Sequence, residues 1–221
     1  MTTTTEKEIE QTLEKTEFGH LLLKNKVAMI TAGVLVLVAI FAFTIVRQQQ
    51  EKNRQAQLNK VFAFESGPFK KYQDGEIQES ALIEELTKLK KEAHENPGLV
   101  PTLLSVVKEL KRKGNSGKAL EVVTSDDLNS FSKNNYAYYF LGMTRAVLLE
   151  DKGDLDGAIS ILENVLTRKL EILDAKIYLD LGRLYKLKGD KEKAKLNLDY
   201  VLANYPNDPL ARTAGLYLNE L

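Results

Sequence analysis

The stretch YLDLGRLYKLKGDKEKAKLNLDYVLANYP, from Tyr178 to Pro206, decides the fold of this chain. Apolar residues recur three and four positions apart on both sides of Gly189: Leu181, Leu184 and Tyr185 before it, then Ala194, Leu198 and Val201 after it. This spacing is typical of one face of an α-helix. Glycine commonly ends a helix because it tolerates positive φ, and Asp190 is a residue type that caps the next helix. The stretch therefore predicts two antiparallel helices joined at Gly189.

Glycines at a nearly constant interval indicate that this hairpin is one unit of a repeat. They are 39, 39 and 36 residues apart: Gly75, Gly114, Gly153 and Gly189. A small residue follows each glycine by five positions: Ser80, Ala119, Ala158 and Ala194. A small side chain there lets two antiparallel helices approach closely. Because each hairpin has an apolar face that needs a neighbour, the repeat predicts an all-α solenoid of about four stacked hairpins.

The last unit resembles a tetratricopeptide repeat (TPR), whose pattern is Trp-x2-Leu-Gly-x2-Tyr, then Ala-x3-Phe, then Pro. This chain has Tyr178-x2-Leu181-Gly182-x2-Tyr185, then Ala194-x3-Leu198, then Pro206. The unit before it matches through Gly142 and Ala158, has Arg145 at the place of the tyrosine, and has one extra helical turn before Gly153. The resemblance implies packing roles for a set of residues: Gly142, Ala158, Tyr178, Leu181, Gly182, Tyr185, Ala194, Leu198 and Pro206.

The two ends of the predicted solenoid differ from its inner units. At the N-terminal end, the segment SGPF (Ser66–Phe69) is expected to interrupt the first helix of the unit around Gly75, because proline breaks helices. At the C-terminal end, the segment NDPLARTAGLYLNEL contains Asp208 and Pro209, a typical helix start. We expect this segment to form a capping helix that covers the open end of the solenoid.

An uncharged run of 20 residues, Val27–Val46, precedes the repeats. As a helix it would be about 30 Å long, the thickness of the hydrocarbon core of a bilayer. A cleaved signal peptide usually has an apolar region of about 7–15 residues followed by a small-x-small site, whereas this run is longer and ends at Arg47. The run therefore predicts a transmembrane helix that contacts the lipid bilayer.

The predicted organisation is a polar tail (1–26), a transmembrane helix (27–46), a polar stalk (47–57) and a TPR-like solenoid domain (58–221). Basic residues close to the transmembrane helix are nearly balanced in number: Lys15, Lys24 and Lys26 before it, then Arg47, Lys52, Arg54 and Lys60 after it. Since the positive-inside rule counts such residues, it does not decide which side of the membrane the solenoid occupies.

A binding surface is expected on the first helices of the hairpins, which line the concave face in TPR-like solenoids. Residues of these helices that point away from the packing positions would form a groove: Leu104, Lys108, Tyr136, Tyr139, Met143, Leu179, Arg183 and Lys186. Such a groove suits an extended or helical polypeptide with apolar side chains and some acidic character. The alternative for each residue is an ordinary role, core for the tyrosines and methionine and solvated surface for the basic residues.

The sequence offers no support for catalysis. Lys plus Arg and Asp plus Glu each total 31, and a balanced charge gives no footprint for nucleic acid. There is no cysteine, and His20 and His94 lack companion ligands at a metal-like spacing. There is also no glycine-rich phosphate loop and no Gly-x-Ser-x-Gly motif. We therefore expect a protein that is not an enzyme and that uses no cofactor, metal ion or nucleic acid.

The layout of a short tail, one membrane helix, a polar stalk and a TPR-like solenoid resembles the bacterial ancillary subunits of the Sec translocon. The resemblance implies a single-pass protein of the bacterial inner membrane with a periplasmic solenoid. It also implies translocon subunits, unfolded or secreted clients and periplasmic chaperones as partners. Two other functions stay open at this stage, a scaffold of a cell-envelope complex and a cytosol-facing targeting receptor, as does the oligomeric state.

Overall fold

A computed structural model describes residues 26–93, 95–171 and 173–221, and these residues form helices and no strand. The helices are α1 (Lys26–Phe64), α2 (Lys70–Gln73), α3 (Glu79–Glu92), α4 (Leu99–Arg112), α5 (Ser116–Val122), α6 (Ser125–Ser130), α7 (Asn135–Asp151), α8 (Leu155–Leu166), α9 (Asp174–Leu187), α10 (Lys191–Asn204) and α11 (Pro209–Asn219). A π-helical segment, Glu65–Phe69, joins α1 to α2. The predicted tail up to residue 25, with His20, and His94 lie outside the described residues. The chain divides into two compact units, Met1–Gln55 and Ala56–Leu221.

The first unit contains the apolar part of α1. Its described large apolar side chains between Val27 and Val46 are each more than half exposed, so this is not the core helix of a soluble domain. The hydroxyl groups of Thr31 and Thr44 donate hydrogen bonds to the carbonyl oxygens of Val27 and Ile40, at 2.9 and 2.8 Å. A helix that satisfies its polar groups internally is suited to lipid. Within the described residues, α1 begins the one helical stretch long and apolar enough to span a membrane.

The second unit contains the predicted TPR-like solenoid of four hairpins and a capping helix, all within the described residues. Each hairpin turns at a glycine with a φ of 82°: Gly75, Gly114, Gly153 and Gly189. At each turn the next residue donates its backbone N–H to a carbonyl five residues earlier, as from Asp190 to Tyr185 at 3.0 Å. This bond defines the Schellman motif, which requires the left-handed conformation at the glycine. After the last hairpin, Asp208 caps α11 through Leu210 N–H at 2.8 Å.

Small residues occupy the crossing points of the last three hairpins but not of the first. Ala119, Ala158 and Ala194 are fully buried, each four residues after the capping residue of its helix. The expectation for Ser80 is wrong, because Ser80 is exposed. The turn after Gly75 is longer, so Gln78 is the residue preceding α3, and fully buried Leu82 takes the equivalent place.

The SGPF segment does not interrupt the first helix, contrary to the sequence-based expectation. The helix continues through the π-helical segment, in which Pro68 lies. The Ser66 hydroxyl donates to the carbonyl oxygen of Phe62 at 2.8 Å. The wider π turn brings Phe64 and Phe69 together, and their buried rings stack with centroids 6.3 Å apart. A π insertion thus accommodates the proline while the helix keeps its buried face.

Two glycines let the helices of the last two hairpins approach closely. A Cβ atom added to Gly182 would lie 2.6 Å from Leu198 Cγ, and one added to Gly142 would lie 2.6 Å from Val165 Cγ2. The extra helical turn predicted before Gly153 is present, since α7 has 17 residues and α9 has 14. Because α7 is longer, Gly142 contacts Val165, which lies about one turn further along α8 than Leu198 lies along α10.

Of the remaining residues with implied packing roles, three make contacts within or between the last two hairpins, and Pro206 is exposed. Leu181 is buried, and the Tyr185 hydroxyl donates to Glu163 Oε1 at 2.6 Å, which joins α9 to α8. The Tyr178 ring lies on that of Tyr200, with centroids 3.9 Å apart. Pro206 is exposed and follows the end of α10, which lies at Asn204.

Replacing Gly182 by alanine tests the close approach, with Gly215→Ala as the matched control. Both changes gain a helix propensity of about 1 kcal/mol. A Cβ atom at Gly215 meets nothing within 4 Å, whereas one at Gly182 overpacks Leu198. We expect Gly182→Ala to be less stable than Gly215→Ala by about 1–3 kcal/mol in urea unfolding followed by circular dichroism. Equal stabilities of the two variants would contradict the packing described.

Candidate functional site

An open apolar groove lies between α4 and α7, which are the first helices of the second and third hairpins. Its volume is about 480 Å³. It is lined by residues of both helices: Leu104, Val107, Lys108 and Lys111 of α4, and Thr144, Val147 and Leu148 of α7. We refer to it as the α4–α7 groove. Two of the residues predicted to bind a polypeptide, Leu104 and Lys108, line this groove.

The groove exists because α4 and α7 each present a second face beyond the one they bury. On α4 the buried face contains Leu103, Val106 and Leu110, while Leu104 and Lys108 follow one another four residues apart toward the groove. Helix α7 is apolar on nearly all sides: it buries Leu141, Leu148 and Leu149 and leaves Tyr136, Phe140 and Val147 exposed by 59, 40 and 43%. A helix with apolar residues on all sides usually has a partner on every side.

One of the two cations that line the groove is neutralised within the protein. The Lys111 ammonium lies 2.6 Å from Asp151 Oδ2, so this pair connects α4 to α7 at one end of the groove. Lys108 is exposed and forms no ion pair or hydrogen bond with any residue in the described part of the chain. The rest of the lining is apolar apart from Thr144, whose hydroxyl donates to the carbonyl oxygen of Phe140 at 2.8 Å.

Two predicted groove residues, Tyr139 and Leu179, are buried, which corrects the expectation that they face a partner. Tyr139 is 1% exposed, and this burial is the main cause that raises the pKa of its hydroxyl, with the Asp174 carboxylate adding to it. Leu179 is 5% exposed and packs in a cluster with Leu198, Val201 and Ala214. Leu179 is buried because α11 packs against α9 as well as α10 and covers this face.

The other predicted residues have different surroundings. Tyr136 is exposed at the start of α7. Met143 is half-buried and packs against the main core. Arg183 Nη2 donates to Glu150 Oε2 at 2.7 Å, which joins α9 to α7. The structure therefore assigns Met143 and Arg183 to contacts between helices.

Lys186 also serves a contact within the protein. Its ammonium group pairs with Glu220 and lies 5.5 Å from the centre of the Tyr217 ring. These contacts connect α9 to the capping helix and the residue after it. The predicted groove is thus reduced to its first part, around Leu104, Lys108 and Tyr136.

Three exposed or groove-lining residues of α7 were missing from the sequence-based groove: Phe140, Thr144 and Val147. Their signal is present in the sequence, because they follow Tyr136 by four, eight and eleven residues and so continue one helical stripe. The prediction instead aligned α7 with α9 through their glycines. The residues selected in this way make internal contacts in both helices: Tyr139 and Leu179 are buried, and Met143 and Arg183 contact other helices.

Comparison with known proteins assigns the chain to no family. No protein-family model matches the chain, and no curated protein matches it. Two crystal structures of MamA are similar to it. One is 20% identical, with a TM-score of 0.48, over 73% of this chain and 89% of MamA. The other is 22% identical, with a TM-score of 0.44, over 68% of this chain and 90% of MamA. The assignment of a TPR-like all-α fold rests on the hairpins described above.

Replacing Arg183 by glutamine tests whether this residue holds the helices together. The hydrogen bonds from Arg183 lower the pKa of the Glu150 carboxyl group. An acid whose pKa is lowered by folding stabilises the protein above its unfolded pKa, and this stabilisation disappears as the pH falls through the folded pKa. We expect Arg183→Gln to cost about 1–3 kcal/mol at pH 7 and less at pH 3, measured by urea unfolding.

Lys195→Gln is the control for this change, because Lys195 pairs with Asp199 on the exposed face of α10. An exposed pair is worth about 0–1 kcal/mol, so this variant should unfold almost as the parent does. A cost of Arg183→Gln that is the same at pH 3 and pH 7 would show that Glu150 is not the group it stabilises.

Proposed function

We propose that this protein is a membrane-tethered, non-enzymatic adaptor that binds polypeptides in the α4–α7 groove. The observation that carries the proposal is the groove itself, about 480 Å³ in volume and lined by Leu104, Val107 and Val147. Exposed Tyr136 and Phe140 extend its apolar wall along α7. Contiguous exposed apolar surface with a polar rim is typical of sites that bind other proteins. Its partner is a polypeptide with apolar side chains and some acidic character.

The apolar part of α1 supplies the tether. A membrane anchor in the same chain keeps the groove close to partners at the membrane, and this raises their effective concentration without any additional contact. The groove therefore needs only modest affinity. A modest affinity suits a surface that binds and releases many segments in turn.

The finer part of the proposal is association with the Sec translocon and chaperone-like binding of translocating polypeptides in the periplasm. It is supported by the order of a single apolar helix, a polar helical stretch and a TPR-like domain, which resembles that of ancillary translocon subunits. In this function the partners are translocon subunits, unfolded or secreted clients and periplasmic chaperones.

Photo-crosslinking in intact membranes tests the groove and its partners together. A photoreactive amino acid at Phe140, beside the groove, should form adducts with translocon subunits or with secreted chains during export. The matched control is the same probe at Leu196, which is 70% exposed on α10, outside the groove. Adducts formed equally from both positions would contradict a specific groove. Adducts from Phe140 only with folded envelope proteins would favour the scaffold function instead.

A charge placed in the groove should weaken binding. We expect Val147→Asp to reduce the Phe140 adducts at least fivefold, because truncation or polar replacement of central contacts commonly costs more than about 1 kcal/mol of binding energy. Leu196→Asp should leave them unchanged, and both variants should keep the helical circular-dichroism signal of the parent. Adducts that resist Val147→Asp would place the binding surface elsewhere.

Reporter fusions after Leu221 determine the side of the membrane. A reporter that is active only in the periplasm should be active in this fusion, and one that is active only in the cytosol should not. The opposite pattern would favour a cytosol-facing targeting receptor and would exclude chaperone-like binding in the periplasm.

A further inference from the structure

The α4–α7 groove has walls that offer no backbone partners to a bound chain. Both walls are α-helices, whose interior N–H and C=O groups bond within the helix. The Thr144 hydroxyl already donates its hydrogen to Phe140. An extended segment placed on this apolar surface would bury peptide groups without partners, which is costly. A helical segment satisfies its own backbone and can lay an apolar face between α4 and α7.

The cationic side chains of α4 and α9 are not equivalent. Four of them are paired within the protein: Lys111 with Asp151, Lys176 with Asp180, Arg183 with Glu150 and Lys186 with Glu220. Lys108 is different, since it lines the groove and forms no ion pair with any residue that the structure describes. The α7 residues that line the groove with it, Thr144, Val147 and Leu148, carry no charge.

We propose that Lys108 selects for an acidic residue in the bound segment. The occupant of the groove is then an amphipathic helix of a partner protein, with an apolar face and one carboxylate beside it. The apolar contacts supply most of the affinity, and the Lys108 ammonium favours segments that place a carboxylate opposite it. Lys111 contributes less to this selection, because Asp151 already neutralises it. This inference rests on the proposed function, since both concern the same groove.

The test uses the full-length protein in lipid nanodiscs and a series of fluorescent peptides. Each peptide is a helix of about four turns with a leucine stripe, and the series differs at one position beside the stripe, which is Glu, Gln or Lys. That position is moved along the peptide until wild-type binding, measured by fluorescence anisotropy, is tightest. We expect the Glu peptide to bind up to about fivefold more tightly than the Gln peptide, and the Lys peptide to bind more weakly than both.

Lys108→Glu should invert this order, so that the Lys peptide binds most tightly. Lys91→Glu is the matched control, because Lys91 is exposed on α3 and does not line the groove. It should keep the wild-type order. The preference for Glu should also shrink in 1 M salt, where the Debye length falls to about 3 Å. The proposal is overturned if wild type binds the three peptides equally, or if Lys108→Glu still prefers Glu.

The same titrations separate this inference from the function on which it rests. Val147→Asp should weaken binding of all three peptides. Peptides that bind without a charge preference but lose affinity in Val147→Asp would overturn the role of Lys108 alone. If no peptide binds, or if binding is insensitive to Val147→Asp, then both the role of Lys108 and the groove as a binding surface are overturned.

Discussion

Every hairpin of the solenoid depends on a glycine that adopts the left-handed conformation. At a φ of 82°, Gly189 allows Asp190 to donate its N–H back to Tyr185 while the Asp190 side chain caps the next helix through Lys193 N–H. A residue with a Cβ atom would pay a steric cost at this φ. Only three residues, Lys188 to Asp190, separate the two helices, so the two helices have to lie antiparallel.

The turns also determine where a groove can form. Because the turns recur, consecutive hairpins place α4 and α7 side by side as first helices of neighbouring units. Helix α7 leaves Phe140 and Val147 exposed on its outward face, by 40 and 43%. In the first helix of the last hairpin, Arg183 and Lys186 form ion pairs with neighbouring elements, and Leu187 is exposed. The proposed binding surface lies on one pair of helices, α4 and α7.

The local part of the architecture could be predicted from the sequence, but contacts between distant residues could not. Glycine spacing and apolar periodicity predicted the hairpins, because both act within one or two helical turns. The burial of Leu179 depends on how α11 folds back, and the partner of Arg183 is Glu150, 33 residues earlier. No periodic pattern encodes such pairs. The expectation that Pro68 interrupts the first helix was wrong because it considered the proline alone. A π turn and the stacked rings of Phe64 and Phe69 accommodate this proline.

The selectivity of a weak binding surface depends on which of its charges remain unpaired. An exposed ion pair contributes about 0–1 kcal/mol, so Lys108 cannot hold a partner by itself. Apolar burial of about 25 cal/mol per Å² supplies more, but it distinguishes poorly between one amphipathic helix and another. Because Asp151 already neutralises Lys111, the unpaired Lys108 gives the groove a preference for a negative charge at one position of the bound segment. Tethering to a membrane raises the local concentration of partners and so compensates for low affinity. Under these conditions a small preference for acidic segments is enough to favour them over other segments.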